Sequence, residues 1–430
     1  MNVIGLASAI VLVSLVAAGC GRTPAPPEST GPTLDRSCVV ASAADAGNDP
    51  DIARLQQQIR ERRDIARAAE QVGYRFISRA RLTNDSGYYK VAEQSAACVE
   101  SVAPADPTAL LLRGHALHQM HQFKDAEAIA RRLVAMREFV LDFGLLGDVL
   151  MEQGRLREAG EAYQKMIDLK PFYQSYTRAA HLRWLKGDLT GAIALMRKAV
   201  AAASPRDRES VAWAYTRLAS YELQQGRFRE AAQMVDSALG YVPEYAAALL
   251  VRGRIELAQS RPASAVAALT RAAELNAAPE YQWALADALR SAGRATDAAV
   301  IEQRLRNDGA TGDPRTFSLY LATRRRDSDT AVELARRELD SRQDIFTIDA
   351  LAWALASAGR PADASALMTR ALAEGTQDAR LYLHAAVIAA ANGRSADAAR
   401  YASRARALRF MLLPSELGVL QRGLVAPPRA

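Results

Sequence analysis

Apolar residues recur with a helical period along most of this chain, as residues 349–372, DALAWALASAGRPADASALMTRAL, illustrate. Ile348, Leu351 and Leu355 fall at positions i, i+3 and i+7, which is the spacing of one face of a helix. Gly359 follows that face. Because glycine takes the left-handed conformation of a helix C-terminus without steric cost, the pattern predicts that a first helix ends there.

A second helix is predicted directly after this turn. Pro361 fits its first turn, where the N–H that proline lacks is not needed. Ala364, Leu367, Met368 and Ala371 then form a buried stripe. We expect Ala364 to face the first helix, since a small side chain lets two helix backbones approach closely. A bulky residue there would overpack the pair at a cost of about 1–3 kcal/mol.

The same pair of a turn residue and an alanine five positions later recurs along the chain. Glycine and alanine are both present at Gly87/Ala92, Gly154/Ala159, Gly187/Ala192, Gly226/Ala231, Gly293/Ala298, Gly359/Ala364 and Gly393/Ala398. The alanine alone is kept at His121/Ala126, Ser260/Ala265 and Arg326/Ala331. Successive turn residues are 33 or 34 positions apart, except for 39 between Gly187 and Gly226. The sequence therefore predicts ten helix-turn-helix repeats.

This unit resembles the tetratricopeptide repeat. The fullest version has these residues at the family's offsets: Leu146, Gly147, Gly154, Ala159, Tyr163 and Pro171. The resemblance covers roughly residues 73–408, although the usual first-helix tryptophan is absent from its family position and three turns lack glycine. It implies an all-α fold, a right-handed α-solenoid of about ten repeats. The C-terminal repeats also look like a group of bacterial exported proteins with this repeat.

The repeat boundaries divide the chain into five segments. We predict a lipoprotein signal peptide at 1–20, a flexible Pro/Ser/Thr tether at 21–48, an N-terminal capping helix at 49–72, the solenoid at 73–410 and a C-terminal cap at 411–430. The capping helix is expected as one amphipathic helix over residues 51–71, with Asp49 and Pro50 as its start signal. The tail contains a short apolar stretch, LGVL.

The N-terminus resembles an export signal. An uncharged apolar run at 3–16 is shorter than a comfortable membrane span and leads into AAGC at 17–20. This ending resembles a bacterial lipobox, which implies that Cys20 is acylated and becomes the mature N-terminus. Ordinary signal-peptidase cleavage near Gly19 is the alternative. The residue after Cys20 is Gly21 rather than the aspartate that is associated with retention in the inner membrane. We therefore expect the protein in the outer membrane if the bacterium has two membranes.

The two other cysteines are consistent with export. Cys38 and Cys98 could form a disulfide bond that pins the N-terminal segment to the first helices. Equally, Cys98 could be a small buried residue and Cys38 a free thiol.

The distribution of charge argues against a nucleic-acid-binding protein, and the lack of catalytic motifs in the sequence argues against an enzyme. The net charge of +7 comes almost entirely from arginine, but the short basic runs lie beside acids without interleaved aromatic residues. No phosphate loop, nucleophile elbow, HExxH or CxxC motif is present, so we expect neither an enzyme nor a cofactor. His115 and His118 could share a metal ion, but no third ligand is close in sequence, and no metal site is predicted.

In tetratricopeptide repeats the first helices line a concave groove. The family's groove positions fall on all four tryptophans of the chain: Trp184, Trp213, Trp283 and Trp353. They fall also on Asp148, His181, Asp287, Tyr320, Asp349, Arg254 and Arg290. Exposed aromatic side chains beside charged ones are suited to holding a peptide. One or two of the four tryptophans are expected to pack between neighbouring first helices instead.

These observations predict a non-catalytic scaffold of the bacterial envelope, anchored to a membrane by lipid. It would bind a partner protein or peptide along an aromatic groove spanning repeats three to eight. The alternative is a ligand- or glycan-binding sensor lipoprotein that uses the same tryptophans.

Overall fold

The structure is a computed structural model that describes residues 33–83 and 85–422. Over these residues the chain forms 23 α-helices and one short 3₁₀-helix, without any strand. The predicted all-α fold is therefore confirmed. The predicted signal peptide, Cys20 and most of the predicted tether lie outside the described residues.

Twenty of the helices pair into ten antiparallel hairpins, which we number repeats 1 to 10. Their first and second helices are α3 (Ile65–Thr83) and α4 (Gly87–Val102), α5 (Pro107–Gln119) and α6 (Phe123–Met136), α7 (Val140–Glu152) and α8 (Leu156–Leu169), α9 (Tyr173–Leu185) and α10 (Leu189–Ala202), α11 (Arg208–Gln224) and α12 (Phe228–Tyr241), α13 (Ala246–Ala258) and α14 (Pro262–Leu275), α15 (Pro279–Ser291) and α16 (Ala295–Gly312), α17 (Pro314–Arg324) and α18 (Ser328–Ser341), α19 (Ile345–Ser357) and α20 (Pro361–Leu372), and α21 (Ala379–Ala391) and α22 (Ser395–Ala407).

The recurring alanine is the contact point inside each hairpin. Ala364 is completely buried, and of the ten alanines only Ala398 shows any exposure, at 3%. A larger side chain would have to displace the facing helix, because protein interiors are close-packed. The residue that defines the repeat in sequence therefore sets the distance between its two helices.

The turn residues adopt the left-handed conformation that the pattern predicts, with two exceptions. Six turn glycines have φ between 72° and 80°, namely Gly154, Gly187, Gly226, Gly293, Gly359 and Gly393. His121 and Ser260 take this conformation without being glycine. In repeat 8 it falls on Arg325 and Asp327, and in repeat 1 Gly87 begins the second helix instead.

The predicted N-terminal boundaries need two corrections. Residues 51–71 are not one helix, because the chain breaks between α2 (Pro50–Arg60) and α3, where Arg62 and Asp64 have positive φ. Asp49 does cap α2, accepting hydrogen bonds from the N–H groups of the next turn. The predicted tether is wrong from residue 36 onward, since α1 (Arg36–Ala43) is a helix packed against α4.

A disulfide bond joins Cys38 of α1 to Cys98 of α4. The two Cα atoms are 4.6 Å apart and both side chains are fully buried. Closing a segment of 60 residues stabilises a fold by about 4 kcal/mol in the chain-entropy treatment. The bond pins α1 onto the first repeat, which is the pairing that the sequence left open.

The solenoid curves so tightly that its second superhelical turn rests on its first. The tight turn between the two helices of repeat 3 touches the segment that follows repeat 8. The corresponding turns of repeats 4 and 5 touch the segments that follow repeats 9 and 10. The Gln343 N–H donates to the Glu152 carbonyl at 3.0 Å, and the Thr376 hydroxyl donates to the Leu185 carbonyl. One superhelical turn of the solenoid therefore spans about five and a half repeats.

Two turn glycines lie at this contact, and glycine is needed at both positions for lack of space as well as for the positive φ angle. A Cβ atom on Gly154 would lie 2.5 Å from the Gln343 carbonyl oxygen, and one on Gly187 would lie 2.5 Å from the Gly375 carbonyl oxygen. Gly359, in contrast, has open space around the same position. The superhelical turns thus meet backbone against backbone at positions where only glycine fits.

The C-terminal segment is not the end cap that we predicted. After a 3₁₀ turn at Arg409–Met411, helix α23 (Pro414–Gln421) packs on α15, α17, α21 and α22. It therefore lies against the first helices of repeats 7, 8 and 10, with Val419 and Leu420 buried. The concave side of the C-terminal repeats is filled by the chain itself.

The turn contact can be tested with matched glycine substitutions. Gly359→Ala should cost about 1 kcal/mol, because alanine must adopt a left-handed conformation. Gly187→Ala should cost about 1–3 kcal/mol more, since its methyl group also overlaps the Gly375 carbonyl. Urea unfolding followed by circular dichroism would measure the difference. Hydrogen exchange should accelerate at residues 374–378 only in Gly187→Ala. Equal costs for the two variants would contradict the contact.

Candidate functional site

The predicted groove is closed over much of its length. Trp184, Trp283 and Trp353 are 7%, 1% and 4% exposed, whereas Trp213 is half-exposed. The expectation of an aromatic groove open from repeat three to repeat eight is therefore wrong. Three tryptophans, rather than one or two, are packed inside the molecule.

Trp353 packs between neighbouring first helices. Its ring stacks on His384 of α21, with 4.2 Å between the ring centroids, and its indole N–H donates to the Thr323 hydroxyl of α17 at 3.0 Å. Asp349, another predicted groove residue, is 1% exposed and lies 2.9 Å from Nδ1 of the same histidine. Truncating such a tryptophan typically costs 3–5 kcal/mol, so Trp353 is a stability residue.

Helix α23 covers the next predicted groove residues. The Trp283 indole N–H donates to the Ser415 hydroxyl at 3.1 Å, and the Ser415 N–H donates to the Asp287 carboxylate at 2.8 Å. Tyr320 is 1% exposed and meets Trp283 edge to face. The prediction that these three side chains line an open surface is wrong because the C-terminal segment fills that surface.

Trp184 is covered by the second superhelical turn. Its ring stacks on Phe346, in the first turn of α19, with 5.6 Å between the centroids. Its indole N–H donates to the Gln224 side chain at 2.9 Å. The contact with Phe346 could not be predicted from the repeat pattern, because it joins repeats 4 and 9.

The N-terminal half of the concave surface stays accessible. A row of half-exposed side chains crosses the five first helices from α3 to α11, and we call it the concave row: Tyr74, His115, His118, Asp148, His181 and Trp213. Tyr74 and His115 lie edge to face with 6.1 Å between the ring centroids, so the row is continuous between α3 and α5. Asp148, His181 and Trp213 were predicted groove residues, while the other three were not.

Asp148 anchors the middle of this row. Arg178 donates two hydrogen bonds to its carboxylate, at 2.8 and 2.6 Å, and the Tyr163 hydroxyl donates a third at 2.8 Å. Burial opposes ionisation of Asp148, but the Arg178 guanidinium outweighs burial and lowers the carboxyl pKa. The pair holds α7 and α9 in fixed register.

The histidines of the row are neutral at physiological pH. Burial lowers the pKa of His115 and of His181 to about 3. Among the described residues, no group of three His, Cys, Asp or Glu side chains is arranged to hold a metal ion. His115 and His118 therefore offer neutral hydrogen-bonding groups on the concave surface.

The two remaining predicted groove residues make surface or rim contacts. Arg254 is half-buried and donates to the Met411 carbonyl at 2.9 Å, so it helps to hold the C-terminal segment. Arg290 is exposed and forms a two-point ion pair with Glu302 at 2.7 Å. Neither belongs to the concave row.

Ten stacked hairpins with an interior built from first helices define an α-solenoid of short helical repeats. The model of the tetratricopeptide repeat family matches residues 111–174, 145–207, 216–276 and 250–314, which lie in repeats 2 to 7. The fold is thus an all-α solenoid of tetratricopeptide repeats, as the sequence pattern predicted.

No curated protein matches the chain, and two solved structures that match it do so at low sequence identity. Among solved structures, a match to the Cut9–Hcn1 hetero-tetramer of APC/C has 14% identity and a TM-score of 0.47, covering 80% of this chain and 60% of that one. A match to the human IFIT1 dimer with PPP-AAAA has 13% identity and a TM-score of 0.47, covering 88% of this chain and 96% of that one.

The buried carboxyl of Asp287 gives a pH-dependent prediction. Burial raises its pKa from the ordinary value of 3.8 to about 6. This happens even though Nη2 of Arg324 lies 2.5 Å from Oδ1 of Asp287 and favours the ionised form. The folded protein therefore holds this proton at pH values where the unfolded chain has released it. Its stabilising effect should be complete below about pH 4 and lost as the pH rises through about 6.

We therefore compare wild type with Asp287→Asn. Between about pH 4 and 7, wild type should lose on the order of 2–3 kcal/mol of unfolding free energy relative to the variant. Urea unfolding at a series of pH values would measure this difference. Parallel pH profiles for the two proteins would contradict the raised pKa.

Proposed function

We propose that this protein is a non-catalytic scaffold that binds a polypeptide segment on the concave row. Tetratricopeptide repeats commonly bind protein partners, and this chain has them in series. The observation that supports the proposal is the row itself, since consecutive first helices present half-exposed aromatic and polar side chains in line. The closed C-terminal repeats then act as a rigid support.

The dimensions suit an extended peptide. Helices pack about 8–10 Å apart, so a row across five first helices is roughly 30–40 Å long. An extended chain covers about 3.3–3.6 Å per residue, which allows about ten residues to contact the row. Trp213 offers a large contact area at one end, and His115 offers hydrogen bonds near the other. Anchors of this kind account for much of the energy in known peptide grooves.

Substitutions near the two ends of the row test the proposal. His115→Ala and Trp213→Ala should each weaken partner binding about tenfold or more, because each removes a contact of at least roughly 1.4 kcal/mol. Crosslinking in intact cells, followed by affinity capture, would measure recovery of the partner. Tyr401→Ala is the control, since this half-exposed tyrosine lies on α22, the second helix of repeat 10. Full recovery with both row variants would exclude the row as the binding surface.

We further propose that the protein is exported and anchored by lipid at Cys20, in the outer membrane of a two-membrane bacterium. Two observations support this proposal: the lipobox-like ending at 17–20, and the disulfide bond, which persists mainly in oxidising compartments. Over residues 33–83 and 85–422, no helix is long and apolar enough to cross a membrane. The setting would be the assembly or maturation of other envelope proteins.

The anchor has a direct test. Cys20→Ser should move the protein from the membrane fraction to the soluble fraction, because a thiol is required for acylation. Ser29→Ala, in the same N-terminal segment, should remain with the membranes. Fractionation of cells and immunoblotting would follow both variants. Membrane retention of Cys20→Ser would show that lipid at this cysteine is not the anchor.

A further inference from the structure

Three adjoining cavities lie where the two superhelical turns meet, and Arg217 of α11 lines all of them. Their volumes are about 330, 250 and 260 Å³. Trp184 lines the first two, and Trp213 also lines the first. We call this group the hub site. Its largest cavity is at the lower end of the range of about 300–1,000 Å³ that is typical of small-molecule sites.

Every other charged side chain that lines the hub site already has a partner. Arg342 pairs with Glu152 and Asp344, Arg315 with Asp344, Arg254 with Glu280, Arg380 with Glu416, Asp349 with His384, and Asp378 with the first backbone N–H groups of α21. The arginine–carboxylate pairs offset each other's charge, as buried ions generally must, and Asp349 and Asp378 are held by hydrogen bonds. Among the described residues that line the hub site, Arg217 is the charged side chain without either kind of partner.

Arg217 has no carboxylate partner and no hydrogen-bond acceptor among the described residues. It makes a cation–π contact with the Trp213 ring, whose centroid is 5.7 Å from the guanidinium carbon. The side chain is half-buried. A guanidinium offers five N–H donors in a plane that matches a carboxylate or a phosphate, and the Arg217 side chain lines all three cavities.

Two further polar groups in the hub site lack hydrogen-bond partners within the described part of the chain. Tyr221 is 2% exposed and lines the largest of the three cavities, and its hydroxyl has no hydrogen-bond partner among residues 33–83 and 85–422. Over the same residues, Nδ1 of His181 is also buried without a partner, and this residue lines the second cavity. Burial raises the pKa of Tyr221 to about 12, so its hydroxyl keeps the proton that it can donate. Buried groups of this kind nearly always have partners in native proteins.

An apolar surface separates these polar groups. Trp184 lies between them, with its ring centroid 5.6 Å from that of His181 and 6.1 Å from that of Tyr221. The hub site thus combines the Arg217 guanidinium, which has no partner among the described residues, with the Tyr221 hydroxyl and the flat apolar faces of Trp184 and Trp213.

From this arrangement we infer that the hub site binds a small organic anion, with its carboxylate or phosphate on Arg217 and its apolar body against Trp184 and Trp213. The Tyr221 hydroxyl would donate a hydrogen bond to the same anionic group. The hub site shares Trp213 and His181 with the concave row. His115 lies outside the hub site and Arg217 lies outside the concave row, so variants at these two residues test the two proposals separately.

A matched pair of probes tests the charge requirement. 2-Naphthoate and its neutral counterpart 2-naphthamide have the same ring system, and quenching of tryptophan fluorescence would report the binding of each to the full chain. We expect the naphthoate to bind at least about tenfold more tightly. 2-Naphthyl phosphate, as a third probe, distinguishes a phosphate site from a carboxylate site by its relative affinity.

The Arg217→Gln variant should abolish this preference, bringing the two affinities to within about threefold. Arg217→Lys should keep part of the preference, and Tyr221→Phe should weaken the anion severalfold. Arg229→Gln is the control, because the Arg229 side chain is 83% exposed and pairs with Glu230, outside the hub site. Circular dichroism would establish that each variant is folded. Equal binding of the acid and the amide to wild type, no binding of either, or an unchanged preference in folded Arg217→Gln would each overturn the inference.

Discussion

Repeats 3, 4 and 5 meet the segments after repeats 8, 9 and 10, and at repeats 3 and 4 the contact is backbone against backbone. Most solenoids have contacts only between neighbouring repeats, so their stability is close to a sum of local terms. Here Glu152 accepts hydrogen bonds from Arg342 and Gln343, which lie 190 and 191 positions further along the chain. The array is therefore stabilised as a closed body, and its unfolding should be more cooperative than that of an open solenoid.

This closure turns a surface into an interior. The first helices of an open solenoid face a groove, where charged side chains are solvated. In this protein the same positions of repeats 7 to 10 meet α23 and the opposite turn. Their charged residues become part-buried ion pairs, such as Arg324 with Asp287 and Arg380 with Glu416. Such pairs are sensitive to the loss of either partner, because an uncompensated buried charge is costly.

The local part of the fold could be predicted because its signals are local. Helical periodicity, the turn glycine and the recurring alanine fix each hairpin within 34 residues, and the buried Ala364 confirms that interpretation. The curvature could not be predicted, since it accumulates from small rotations between repeats. Whether a side chain at a groove position, such as Trp353, is exposed or covered depends on the total curvature of the solenoid.

One signal of burial was nonetheless present in the sequence. Helices α19 and α21, which read IFTIDALAWALAS and ARLYLHAAVIAAA, are apolar almost all the way round. A helix that lines a solvated groove should have a polar side, and one without it is buried. The position of α23 and the isolation of Arg217 had no such signal, because both depend on contacts between residues distant in sequence.

The contact between turns also has a consequence for the evolution of the array. Open solenoids lengthen or shorten by duplicating or deleting whole repeats, since each new unit needs only its two neighbours. In this protein an added repeat between 3 and 8 would move every later segment by one place. Gly154 and Gly187 would then face different loops, and α23 would miss Trp283. A change in the number of repeats there should therefore disturb the whole closed body, and change should be tolerated more readily at the N-terminal end.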